Sequence, residues 1–166
     1  MIKVAEYTIS RRKAAGYAII IGFIIGLLNA IFLPVDFTLK PELLGWLAAA
    51  VVCIIILHES MHGAAAKLFG YKPLFGFKPP LIYVTFREKI PNGIFIAVAL
   101  TPLFILNLMF GIFFALGILK VFSLFCLIIN TLGAIGDIWI TLKLVRHERG
   151  TLVQDTKTGI EVWKIK

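Results

Sequence analysis

The chain has 166 residues, 60% of them hydrophobic and only 16% charged, with a formal net charge of +8. Soluble domains run at about 45–50% apolar and about 25% charged, and a globule of this length has too little interior for so much apolar surface, so an ordinary soluble fold is excluded. Nucleic-acid binding is excluded as well, because no basic cluster is interleaved with aromatics in a soluble fold; the positive charge reads as membrane topology and contact with anionic lipid, which makes the lipid bilayer the first expected partner.

Residues 1–9 carry no clear pattern. Residues 14–35 form a charge-free stretch of 22 after Arg11, Arg12 and Lys13. It exceeds the roughly 7–15 residues of a signal-peptide core and runs into Leu33-Pro34-Val35-Asp36 rather than a small-residue cleavage site, so it is read as a permanent span. Residues 43–66 form a second stretch of 24, broken only by Glu59, which predicts a span over about 43–68. Residues 74–87 (LFGFKPPLIYVTFR) place two aromatic, β-branched runs around Pro79-Pro80 and predict a β-hairpin. Residues 90–119 give 30 positions without charge, hence a span over about 92–119. Residues 121–142 give 22 more, broken only by Asp137, for a span over about 121–145. Residues 151–164 (TLVQDTKTGIEVWK) predict a second hairpin around the turn cluster Asp155–Gly159.

A spanning helix takes about 20 apolar residues. The expected fold is therefore mainly α: a single integral membrane domain of four transmembrane helices with short cytoplasmic β-hairpins. Fifteen of the 17 Lys and Arg fall on the N-terminal segment, the segment between spans 2 and 3, and the C-terminal segment; the two opposite connections hold only Lys40 and Lys120. By the positive-inside rule this predicts a multi-pass protein of the cell membrane with both termini cytoplasmic. Cys53 and Cys126 both fall inside spans and read as small buried hydrophobes, placed neither for a disulfide nor as ligands.

Four ionisable side chains lie within the spans: His58, Glu59, His62 and Asp137. Such groups are costly in a bilayer and point to function. The stretches 43–66 and 121–142 hold no Lys or Arg to neutralise the two acids, so either the acids are protonated or a cation is missing from the sequence. The spacing favours a metal. His58 and His62 are i and i+4 and project from one helical face, about 6 Å apart in rise. With Glu59 they make H-E-x-x-H, the pattern in which two histidines bind zinc and the glutamate serves as general base. Catalytic zinc takes three protein ligands. The extended motif with a glycine and a third histidine is excluded, because Ala65 and Leu68 stand at those places. Glu88 sits between Arg87 and Lys89 in the central loop, where a solvated side chain is the simpler reading. Asp137 has the right depth: it lies nine residues before Arg146, as His58 lies nine before Lys67, so both sit about 8–13 Å inside the same boundary.

H-E-S-M-H in one span with N-T-L-G-A-I-G-D (130–137) in a later one is similar to the site-2 protease type of intramembrane metalloprotease. More closely, H-E-S-M-H, F-G-F-K-P-P-L-I-Y (75–83), G-D-I (136–138) and G-T-L-V-Q-D (150–155) resemble the zincin peptidase family of bacterial membrane proteins, whose function is undefined; the likeness runs over roughly residues 45–160. The resemblance implies zinc held by His58, His62 and Asp137, with Glu59 as catalytic base. Site-2 proteases carry Asp followed by Gly, whereas here Gly136 precedes Asp137.

Asn130, seven residues before Asp137, has two readings: a hold on a substrate carbonyl or oxyanion, or an interhelical hydrogen bond, the latter also the reading for Asn29 and Asn107. Gly133 and Gly136 are expected to permit close helix packing, and His147 to be a solvated tail residue. The expected activity is a zinc-dependent endopeptidase acting on a peptide or transmembrane segment within or near the membrane. The alternative is a metal-binding membrane scaffold or metal-handling protein without hydrolysis; Glu59 separates the two, since storage or transport needs no acid placed as a base.

Overall fold

The computed structural model of the chain describes residues 1–8, 16, 17, 19, 20, 22, 41–78, 81–156 and 159–165. The expected first span, 14–35, lies largely outside these residues. The expected second span is helix α1, Pro41–Leu68, opened by a proline whose missing N–H has no helical partner to lose. The third is α2, Asn92–Ala115. Both end in the same device. Gly70 and Gly117 adopt φ of 83° and 76°, and the next N–H reaches back five residues, Tyr71 to the Ala66 carbonyl at 3.0 Å and Ile118 to the Phe113 carbonyl at 2.8 Å. This cap satisfies orphaned carbonyls, and its left-handed position suits glycine.

The expected fourth span is not one straight helix. It is two, α3 (Lys120–Gly133) and α4 (Ile135–Leu144), bent by 44° at Ala134. Among the described residues, two helices are therefore long and apolar enough to cross a membrane, or three if the bent pair is one span, consistent with a membrane protein. Among the described residues an added Cβ at Gly133 or Gly136 would meet nothing within 4 Å, so the close packing expected there is not found among them. The two glycines instead flank the bend, where poor helix formers weaken the ladder.

Both expected hairpins form. β2 (Leu74–Lys78) pairs with β3 (Leu81–Thr85), and β5 (Leu152–Asp155) pairs with β6 (Gly159–Lys164), each antiparallel. The second hairpin is the middle of a larger sheet. The unpatterned N-terminus is strand β1, Ile2–Thr8, on the outer side of β6, and a two-residue strand β4, Ile90–Pro91, joins β5, giving the order β1-β6-β5-β4. His147 is not a solvated tail residue: it shares a 2.8 Å hydrogen bond with the Tyr7 hydroxyl, which pins β1 beside the end of α4.

Two apolar clusters hold these parts. One joins the sheet to the helices through Ala65, Ala66, Phe95, Leu144, Val153 and Val162. The other lies among the helices, with Ala50, Ile54, Leu106, Phe110 and Cys126. Cys126 is buried as expected, whereas Cys53 is exposed on the outer face of α1. Buried Asn92 ties the sheet end together: its N–H donates to the Thr151 carbonyl at 2.9 Å and its side-chain amide to the carbonyl of Leu144, the last residue of α4, at 3.0 Å.

Gly159 has the tightest steric limit in the sheet, because a Cβ there would collide with the backbone carbonyl of Tyr7 across the β1–β6 pair. Gly159→Ala is expected to destabilise the protein by about 1–3 kcal/mol through overpacking against backbone that has no room to move. A fall in the unfolding midpoint measured in detergent micelles checks this.

Candidate metal centre

The helical period sets two imidazoles on one face of α1, with ring centroids 4.9 Å apart and planes at 80°. Both rings are buried, His58 at 7% exposure and His62 at 9%. Asp137 stands in the first turn of α4, just beyond the bend. Its Oδ2 lies 3.1 Å from His58 Nε2 and 3.5 Å from His62 Nε2. One ligand atom from each of the three residues lies within 4.8 Å of the others. The residues proposed as ligands from spacing and depth are thus together in space.

The other nitrogen of each ring decides what this arrangement needs. His62 Nδ1 is 3.0 Å from the carbonyl oxygen of Val98. A carbonyl only accepts, so that nitrogen donates and carries the ring proton. His58 Nδ1 is 2.9 Å from Asn130 Oδ1, and the direction of that bond is set along a chain. Thr131 donates its hydroxyl to the Leu127 carbonyl at 2.9 Å, so its oxygen accepts from the Asn107 amide at 2.8 Å. Asn107 Oδ1 then accepts from the Asn130 amide at 2.8 Å, which also donates to the Pro102 carbonyl at 3.1 Å. Asn130 Oδ1 is left as an acceptor, and His58 Nδ1 donates to it.

In neutral rings both Nε2 atoms are therefore lone pairs, and they face a carboxylate oxygen that also carries only lone pairs. Such a trio calls for a cation, either protons on the rings or one metal ion. The donor set suits zinc: two imidazoles whose distal N–H groups are held by carbonyl oxygens, plus one carboxylate. Tetrahedral coordination at zinc's usual bond lengths puts neighbouring ligand atoms about 3.3–3.5 Å apart, close to the 3.1 and 3.5 Å observed here.

A cavity of about 160 Å³ opens beside this trio, lined by Glu59, His62, Val84, Phe95, Asp137 and Asp155 among others. Glu59 lies on its wall rather than in the ligand trio, and its Oε2 accepts a 2.9 Å hydrogen bond from the Val84 N–H of β3. Asn130 is fully buried, with its oxygen taken by His58 and its amide by Pro102 and Asn107. It makes interhelical hydrogen bonds that orient a histidine, and no group of it faces the cavity.

Two participants do not follow from the sequence reading. The first is Pro102, inside α2. Proline has no N–H, so the carbonyl four residues earlier, that of Val98, lacks its helical donor. That is the carbonyl which accepts from His62. A proline in mid-span is the signal that a free carbonyl lies one turn back; which side chain takes it depends on tertiary packing. The second is Asp155, at the end of β5. Burial pushes its carboxyl above the ordinary range, against the pull of the polar groups of Thr85, Thr156 and Phe86 beside it.

Removing a group that holds a ligand's distal nitrogen commonly lowers metal affinity about 10–100-fold. Asn130→Ala is expected to fall in that range. Pro102→Ala, which restores an N–H that competes for the Val98 carbonyl, is expected to lower affinity about 10-fold. Zinc titration against a competing chelator measures both; wild-type affinity in each variant would count against the hydrogen-bond account given above.

A family model described as "Putative zincin peptidase" matches residues 51–152, more than half of the chain. The "Uncharacterized 24.7 kDa protein in gap 5'region" of Pyrococcus woesei is similar to this chain, with 26% identity over 159 residues that cover 92% of this chain and 71% of the relative. No solved structure matches the chain. The segment matched by the family model runs from within α1 to the start of β5 and contains His58, Glu59, His62 and Asp137, and the chain belongs to this zincin peptidase family.

Proposed function

We propose that this protein is a zinc-dependent endopeptidase that cleaves a peptide bond within or near the membrane. The observation that carries this reading is the meeting of two imidazole lone pairs and a carboxylate on one point, with a second carboxylate, Glu59, on the wall of the adjoining cavity. When bound there, zinc supplies Lewis acidity to a scissile carbonyl and to water. His58, His62 and Asp137 hold it, and Asn130 and the Val98 carbonyl keep both Nε2 atoms turned inward. Glu59 accepts the proton of the attacking water and returns it to the leaving amine.

A helix hides its peptide bonds, so the substrate must be extended where it is cut. The β2–β3 hairpin supports that step. Val84 donates outward to Glu59 rather than to β2, so by strand alternation the outward groups of β3 line the cavity side. An extended chain can pair along that edge. In the proposed topology the termini and the hairpin are cytoplasmic, which puts the cleavage site near the cytoplasmic side of the bilayer.

Purified protein is expected to carry about one zinc per chain, lost in His58→Ala, as expected of a site with three protein ligands. Glu59→Gln is expected to keep the metal and lose at least about 100-fold in cleavage of a fluorogenic peptide panel. Metal analysis alongside the assay separates the roles; a fully active Glu59→Ala protein would remove the general base.

A further inference from the structure

The third carboxylate of the cavity has no part in metal binding or proton transfer. Asp155 closes β5 and lines the cavity, with Thr85 and Phe86 at the end of β3 beside its carboxylate. Phe86 follows β3, two residues after Val84, so the two N–H groups point to the same free edge of the strand. Glu59 occupies the first of these donors, and the Asp155 carboxylate lies beside the second. A substrate strand laid along β3 therefore meets the Asp155 carboxylate where the edge ends.

We propose that Asp155 is a specificity-determining residue of this cavity, and that its carboxylate binds the cationic group of the substrate, an ammonium or guanidinium, where the substrate passes the end of β3. The proposal rests on the peptidase reading given above. A carboxylate has about four acceptor sites, and that of Asp155 lines the cavity, where it has capacity for a cationic donor. Charge points the same way. A divalent ion held by His58, His62 and Asp137 would offset Glu59 and Asp137, and a charge on Asp155 would be left over. Among the described residues no Lys or Arg lies within ion-pair distance of it. A carboxylate largely out of water gains from a cation brought in by a ligand. Phe95, Val98 and Ile140 on the cavity wall suit the methylene stem of a lysine or arginine. The same cation can also be the free α-amine of a chain end.

The test is binding, made in the metal-loaded Glu59→Gln background so that nothing is cut. The probes are Ala/Leu heptapeptides labelled with fluorescein at the C-terminus. Lys, norleucine or Glu is scanned through each position, and each peptide is made with a free and an acetylated N-terminus. Fluorescence polarisation in detergent micelles reads the affinity. Lys at one position is expected to bind about 10-fold or more tighter than norleucine, and Glu weaker than both. If the α-amine is the cation, the gap appears between free and acetylated peptides instead. Asp155→Asn and Asp155→Ser are expected to erase the gap while leaving norleucine affinity unchanged, and Asp155→Glu to retain it. A purely structural role would lower all affinities together. Equal affinities across the set, including uniformly undetectable ones, or a lysine preference that survives in Asp155→Asn and Asp155→Ser, would overturn the proposal. Cleavage of the same peptides by the wild type reports separately: a protein that discriminates cations and never cuts keeps this subsite and loses the peptidase reading.

Discussion

Three atoms that can only accept, two imidazole Nε2 and one carboxylate oxygen, face one another inside a largely apolar helix cluster. The rest of the structure depends on that constraint. The protons that might have relieved it are committed elsewhere, on the Nδ1 atoms bound to Asn130 and to the Val98 carbonyl. An arrangement of this kind is unfavourable without a positive charge at its centre, and a fold that maintains it at these separations has a cation as its natural complement.

Each helix contributes differently to holding the trio. α1 supplies the histidines between Ile54 of one apolar cluster and Ala65 of the other, so the rings sit where the helical half of the molecule meets the sheet half. α2 supplies a carbonyl released by Pro102. The bent pair α3–α4 supplies groups to both sides of a single ring: Asn130 to His58 Nδ1 and Asp137 to His58 Nε2. On a straight helix seven residues rise by about 10 Å, far more than the width of an imidazole. The bend at Ala134 lies between the two residues and turns the second part of the span toward the ring. A break that is costly in an apolar segment is in this way tied to the His58–His62–Asp137 trio, as irregular backbone at membrane depth generally is to a polar site.

The parts of this structure governed by short-range periodicity could be read from the sequence. The i, i+4 histidines, the hairpins at 74–87 and 151–164 and the apolar helices follow from local pattern alone. Asp137 followed from counting depth along two helices that run the same way. What could not be read was set by distant partners. β1 acquires its identity from β6, more than 150 residues away, and nothing within residues 2–8 announces a strand. The bend at Ala134 was hidden because hydropathy runs unbroken across it. Asn130 left two readings open, since an amide seven residues from a ligand can serve a substrate or a ring; only the positions of His58 and Asn107 settle which side-chain atoms are taken.

The hairpin and the carboxylates make a second linked system. An exposed strand edge in apolar surroundings has unpaired N–H groups, and leaving them unsatisfied is expensive. At Val84 a side-chain carboxylate, that of Glu59, meets that demand, and the carboxylate of Asp155 lies beside Phe86. A substrate carbonyl arriving at Val84 would exchange one acceptor for another, at small net cost to the edge. In the proposed mechanism that exchange has a chemical consequence. The Glu59 carboxylate gives up a hydrogen bond that stabilises its charge, so the event that seats the peptide bond also makes it a stronger base toward water. Strand pairing and base strength are then coupled, and the glutamate is the weaker base until an extended chain is present.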